Sequence, residues 1–209
     1  MPELKGEMVR IPKVLLFDLG GVLVEWDGIE PLMKLSRGRL TRDMARRFWL
    51  ESPWARKFET GQCTPREFAL GVIEELKLSL SPDEFIQQFI SWDRGPLPGA
   101  LDLLERLRPN FQLVCLSNNN ELHWPILREK ASIDKKFDYC FISFEIGVMK
   151  PEEEAFLYVI KKVGRAPEEF LFFDDNPECI ETALKIGMSA FCVQGITGVE
   201  SVLRKMDVF

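Results

Sequence analysis

The sequence is poor in several residue types that commonly carry chemistry. It has one histidine, His123, and only two tyrosines. The five cysteines, Cys63, Cys115, Cys140, Cys179 and Cys192, are scattered, with no C-x-x-C pair. This argues against a zinc site and fits a reducing cytoplasm better than a disulfide scaffold. No apolar stretch approaches the ~20 residues of a membrane span. The first apolar run is interrupted by Asp18 and lacks a small-residue cleavage site, so no signal peptide and no membrane partner are expected. There is no internal repeat and no low-complexity tract. The net charge of −6 argues against a nucleic-acid partner. The one basic cluster, Arg37, Arg39, Arg42, Arg46 and Arg47, reads as a solvated helix face.

What remains is an ordinary globular composition, with 46% hydrophobic and 29% charged residues over 209 positions. That length holds one large domain, or a core carrying a smaller one. Apolar runs of strand length occur at residues 13–18, 111–117, 138–143, 169–174 and 189–193. Between them, helical spacing marks 100–108, 152–163 and 177–186, the last stopped by Gly187. Alternating strands and helices predict an α/β fold with a parallel sheet core of three-layer, Rossmann-like type. Residues 28–95 differ, with helical periodicity and little strand pattern. Ser81-Pro82-Asp83-Glu84 and Thr64-Pro65-Arg66-Glu67 read as helix starts there. The expected division is a core of 1–27 and 96–209 with a helical insertion at 28–95. Its return sits near Gly95-Pro96-Leu97-Pro98-Gly99, which has the composition of a hinge. Trp49, Trp54, Phe58, Phe68, Phe85, Phe89 and Trp92 are expected to form the core of the insertion, with Trp26 and Trp54 the better candidates to face a cleft.

Polar residues punctuate the strand ends. Asp18 closes the first run and is followed at once by Leu19-Gly20-Gly21. Ser117 closes the second, and Asp174-Asp175 the fourth. In open α/β sheets, ligands bind at the carboxyl ends of the strands. A carboxylate there can act as a nucleophile and form an acyl-phosphate. Because carboxylate and phosphate are both anionic, that chemistry needs a cation. Magnesium, held by one or two carboxylates, is the usual solution. Asp174-Asp175 offers the second acidic group, Lys150 a neutralising charge, and Ser117 a hydrogen bond to phosphate.

In order, these motifs resemble those of the haloacid-dehalogenase (HAD) superfamily with a helical cap inserted after the first strand. Phe17-Asp18-Leu19-Gly20-Gly21-Val22-Leu23 resembles the first motif and Leu116-Ser117-Asn118 the second. Lys150-Pro151 resembles the third and Phe173-Asp174-Asp175-Asn176 the fourth. Phe58-Glu59-Thr60-Gly61 with Thr64 and Glu67, and Ser117-Asn118-Asn119-Asn120 with His123, are similar to the subgroup of bacterial α-D-glucose-1-phosphate phosphatase. The resemblance implies a magnesium-dependent phosphatase of a small phosphorylated metabolite. Asp18 would be nucleophile and metal ligand, and Lys150 would orient and neutralise. The Gly20 carbonyl and Asp175 would be further ligands, and Asp174 would support or join them. Ser117 and Asn118 would bind the phosphoryl group.

Two departures stand out. Most phosphatases of the superfamily carry a second Asp two positions after the nucleophile as general acid and base, and here that position is Gly20. His123 is one candidate to bind phosphate and donate the missing proton. The other reading of His123 is a helix-start residue packed near Trp124 and Pro125. Cys179 stands where many members have an acidic or amide residue. Glu25 and Asp27 read as supporting or solvated. Two rival functions stay open. One is a 2-haloacid dehalogenase, disfavoured by the carboxylate pair. The other is a non-catalytic phospho-ligand or protein binder, favoured by Gly20 and Cys179. Oligomeric state is left open.

Overall fold

The computed structural model describes residues 12–208. The expected core segment 1–27 thus lies in part, at 1–11, outside the described residues, as does residue 209. Val14, Leu15, Leu16 and Phe17 form strand β1 (Val14–Phe17) and are all fully buried. The strand can be apolar throughout because both its faces are covered. β1 pairs in parallel with β4 (Gln112–Ser117) on one side and β6 (Phe170–Asp174) on the other. β5 (Tyr139–Ile142) and β7 (Ser189–Cys192) complete a five-stranded parallel sheet of order β5-β4-β1-β6-β7. All five strands lie within the runs the sequence marked.

Side chains alternate between the two faces. Leu15, Phe17, Leu113, Cys115, Leu171 and Phe173 face one core, closed by α6 (Ala100–Leu107), α7 (Trp124–Ala131) and α11 (Gly195–Lys205). Val14, Leu16, Val114, Leu116, Phe170 and Phe172 face the other, closed by α9 (Glu153–Val163) and α10 (Pro177–Ile186). The result is the expected three-layer α/β core. A short helix, α8 (Ser143–Ile146), follows β5.

After β1 the chain turns through Gly20 and Gly21 into β2 (Val24–Trp26), which pairs antiparallel with β3 (Asp93–Pro96). This ribbon joins the two connecting chains side by side, reinforced by Asp27 N–H to the Trp92 carbonyl at 3.1 Å and Leu97 N–H to the Leu23 carbonyl at 2.8 Å. The sequence did not predict it. Between the ribbon strands lie α1 (Glu30–Leu35), α2 (Arg42–Glu51), α3 (Pro53–Glu59), α4 (Pro65–Leu76) and α5 (Pro82–Ile90). Capping boxes start α4 at Thr64/Glu67 and α5 at Ser81/Glu84. The helices bury a core of their own, in which Phe58 and Phe68 stack with centroids 4.3 Å apart. No helix among the described residues is long and apolar enough to cross a membrane.

Two aromatic expectations need correction or refinement. Trp54 belongs to the packing of the insertion, not to a cleft. Its ring lies so close over Gly71 of α4 that a Cβ there would fall 2.1 Å from it, and the Lys57 ammonium sits 4.7 Å above the ring. Trp26 turns its ring toward Gly28 and Trp49, the latter edge-on at 5.5 Å, while its Cβ stays beside Gly20. The basic cluster is largely engaged. Arg39 hydrogen-bonds the carbonyls of Ser36, Leu76 and Lys77, Arg42 pairs with Glu30, and Arg47 pairs with Glu51.

Candidate active site

The sheet order decides which strand ends meet. Because β1 lies between β4 and β6, Asp18, Ser117 and Asp174 share one carboxyl edge. The ladder continues one step past β1, with Asp18 N–H donating to the Phe173 carbonyl at 2.9 Å. The chain after α8 brings Lys150 into the same place. Its ammonium donates to Asp18 Oδ1 at 2.7 Å and to Asp174 Oδ2 at 2.6 Å, with all three residues buried. Asp174 Oδ1 accepts the Asn176 N–H at 2.8 Å, so each oxygen of this carboxylate has a partner.

Asp18, Asp174 and Asp175 each place a carboxylate oxygen within 4.8 Å of the others. These are hard oxygen donors of the kind magnesium takes, so the residues present fit that ion. Asp175 is the exposed member, and it lies against the turn after β1. A Cβ on Gly21 would sit 2.4 Å from Asp175 Oδ2, and Gly21 holds φ at +73°. Both facts demand glycine. Gly21→Ala is therefore expected to displace Asp175 and to raise the magnesium concentration for half-maximal activation about 10- to 100-fold. A magnesium titration of activity checks this, and an unchanged midpoint would sink it.

The charges act strongly on one another. Burial pushes the Asp18 carboxyl up to about 7, with Lys150 opposing and Asp174 and Asp175 adding to the rise. Burial alone would lower Lys150, but Asp174 and Asp18 outweigh it and hold the ammonium well above its usual range. Asp175 is raised by burial and by Asp174, with Lys150 and, more weakly, the exposed Arg46 of α2 opposing. Cys179 is buried beside this group, and burial raises its thiol, so it stays neutral.

Asn118 is tied to the lysine by its side chain. Its amide nitrogen donates to the Lys150 carbonyl at 2.8 Å, and its Oδ1 accepts the Lys150 N–H at 2.9 Å. The side chain thus seats the lysine's backbone. Ser117 is buried at the end of β4, with its hydroxyl 3.5 Å from the Asn118 carbonyl. That is too long for a strong bond and leaves the hydroxyl available to a ligand. Asn119 is tied to Ser143, its N–H donating to the hydroxyl at 3.0 Å and its carbonyl accepting from it at 3.1 Å.

His123 packs at the start of α7, as the second of its two readings has it. Its Nε2 lies 2.7 Å from the Phe89 carbonyl and its Nδ1 3.3 Å from the Asn120 amide nitrogen, while its ring stacks on Phe89 at 4.3 Å. With Nε2 donating and Nδ1 accepting, both nitrogens are engaged and the ring is neutral. Burial pushes its pKa down to about 4. It links the start of α7 to α5. Asp27 caps the entry to α1 through Oδ1, which accepts the N–H groups of Ile29 and Glu30 at 3.0 and 3.1 Å. Glu25 pairs across the ribbon with Arg94 at 2.6 Å.

Glu59, at the end of α3, carried no assigned role in the sequence. In the structure it is half-buried, and the charges of Asp18 and Lys150 reach it. Burial first, and Asp18 second, raise its carboxyl to about 7, against Lys150. The only sequence signal was its place in Phe58-Glu59-Thr60-Gly61, a carboxylate wedged between a core aromatic and a turn glycine.

Comparison with known proteins agrees with this geometry. A D-ribitol-5-phosphate phosphatase of Bacteroides thetaiotaomicron is 27% identical over 188 residues, covering 86% of this chain and 90% of that protein. The magnesium complex of a HAD family enzyme from the same organism superposes with a TM-score of 0.77 at 27% identity, covering 92% and 98% of the two chains. Its complex with magnesium and inorganic phosphate gives 0.73 at 28% identity, with 88% and 94% covered. The family model described as haloacid dehalogenase-like hydrolase matches residues 12–187. With the motif residues on one sheet edge and a match of that extent, the chain belongs to the haloacid dehalogenase-like hydrolase family.

Proposed function

We propose that this chain is a magnesium-dependent phosphatase of a small phosphorylated metabolite, a sugar or polyol phosphate in the first instance, working through an aspartyl-phosphate on Asp18. The observation that carries the reading is the Lys150 ammonium bridging Asp18 and Asp174, with Asp175 in the same oxygen cluster. Lys150 holds Asp18 Oδ1, so Oδ2 is the oxygen left to attack. Oδ2 lies beside Gly20, where even an added Cβ would stay 4.0 Å away. Ser117 at the neighbouring strand end donates to a phosphoryl oxygen. Asp174 does not attack: it balances Lys150 and is fixed by the Asn176 N–H.

The residues that would hold magnesium are Asp18, Asp175 and the Gly20 carbonyl, with Asp174 alongside. When bound, the ion neutralises the charge that phosphate adds to the carboxylates. The helices between β2 and β3 act as a cap over 28–95, excluding water and selecting substrate shape. The five free thiols fit a cytoplasmic enzyme. Relatives that act on D-ribitol 5-phosphate and flavin mononucleotide support the metabolite class, and α-D-glucose 1-phosphate belongs to the same class of sugar phosphates. The carboxylate trio disfavours a dehalogenase, which has no cation to hold.

The test is hydrolysis of p-nitrophenyl phosphate, D-ribitol 5-phosphate and α-D-glucose 1-phosphate with magnesium and with EDTA. Turnover that disappears in EDTA and returns with excess magnesium is expected. Halide release from 2-chloropropionate in EDTA, without phosphate release, would overturn the reading.

A further inference from the structure

Resting on the phosphatase reading, we propose that Glu59 is the catalytic residue that protonates the leaving oxygen and then takes a proton from the attacking water. Cleaving a phosphate ester of a poor leaving group needs such a donor. Elimination among the described titratable groups at the site leaves few candidates. Asp18 is the nucleophile, Lys150 bridges two carboxylates, and both oxygens of Asp174 are engaged. Both His123 nitrogens are engaged, and Asp175 belongs to the cation cluster. Gly20 has no side chain. Glu59 is the carboxyl that remains within reach of the Asp18 and Lys150 charges and has no part in the cation cluster.

Its position is built, not accidental. Three residues earlier, Arg56 pairs with Glu152, next to Pro151 and the Lys150 turn. Two residues later, Gly61 at φ +69° lies so close to the core that an added Cβ would sit 2.5 Å from the Phe144 carbonyl. Between them, the Thr60 hydroxyl closes the helix end on the Arg56 carbonyl at 2.7 Å. Glu59 is thus held from both sides against the core that carries Asp18.

The step balances. An Asp18 Oδ2 lone pair forms the new P–O bond as the ester P–O bond breaks, and the leaving oxygen takes the Glu59 proton and departs as the alcohol. Glu59, now a carboxylate, takes a proton from water as the water oxygen attacks phosphorus. The Asp18–phosphorus link breaks, releasing inorganic phosphate with Glu59 reprotonated.

The test is Glu59→Gln in the full chain with magnesium, on D-ribitol 5-phosphate and p-nitrophenyl phosphate. The alcohol ester should lose about 100-fold in its first turnover. p-Nitrophenolate leaves without a proton, so that ester should show a burst of one equivalent followed by slow release, as hydrolysis of the aspartyl-phosphate on Asp18 stalls. Gly20→Asp on this background introduces a carboxyl where the Cβ meets nothing closer than 4.0 Å, and should recover tenfold or more of the loss. Equal losses on both esters without a burst, or no loss on either, would overturn the assignment. Should Glu59→Gln fail to fold, Glu59→Asp is read by the same ratio of the two esters. Wild-type protein inactive on every ester would instead overturn the phosphatase reading and this inference with it.

Discussion

Asp18→Asn is expected to lose turnover by on the order of 10^4-fold or more, while the metal-free fold becomes more stable at pH 8. The first effect follows from removing the attacking oxygen. An amide cannot form the acyl-phosphate, and the neighbouring Asp174 is fixed on Lys150 and Asn176. The second follows from the raised pKa. Burial, the largest cause, lifts Asp18 to about 7 from 3.8, so between those values the folded state holds a proton that the unfolded state has released. A carboxyl of that kind stabilises the fold at low pH, and its contribution is lost as pH rises through about 7. Asparagine carries no such proton and escapes the loss, although Lys150 keeps only Asp174 as partner. The variant's advantage should therefore be largest at pH 8 and narrow as pH falls from about 7 toward 4. Thermal melts in EDTA across that range check the second effect, and phosphate release checks the first. A variant that melts below wild type at pH 8 in EDTA would refute the electrostatic account. One that kept full turnover would remove Asp18 from the mechanism.

The same physics explains what the sequence disclosed. β1, β4 and β6 are buried on both faces, so each reads as an unbroken apolar run, and the polar residue that ends each run is visible by contrast. Asp18, Ser117 and Asp174 were legible for that reason, and their convergence needed only the parallel sheet. Asp175 followed as the neighbour of Asp174. The β2–β3 ribbon was not legible because its strands are short, register-shifted and partly exposed, with Gly95 and Pro96 inside β3. α7 was hidden by Pro125 and a weak apolar stripe. The roles of His123, Trp54 and Glu59 depend on partners from distant elements: the Phe89 carbonyl, Gly71 and Asp18 respectively. Spacing along the chain carries no information about such meetings. That the Asn118 side chain grips the backbone of Lys150 is likewise visible only in the geometry.

Lys150→Met is expected to lower stability at pH 8 by about 3–5 kcal/mol and activity by about 10^3-fold or more. Methionine fills most of the space of the buried stem, and the two hydrogen bonds from Asn118 involve only the Lys150 backbone, so the chain path is retained. What is lost is the ammonium between two carboxylates, at 2.7 and 2.6 Å. Asp18 and Asp174 are then buried together without a counter-charge and cannot both ionise, so one takes up a proton. If Asp18 takes it, the nucleophile is masked, and if Asp174 does, phosphate still meets an unneutralised Asp18. For a chain of this size the deficit corresponds to a melting temperature roughly 10 °C lower. Because protonation relieves the unpaired carboxylates, the deficit in EDTA should shrink as pH falls and grow as it rises. That sign separates electrostatic loss from a packing defect, which would cost the same at every pH. A pH-independent deficit would mean that Lys150 contributes through its stem. A variant as active as wild type would mean that magnesium alone neutralises the site.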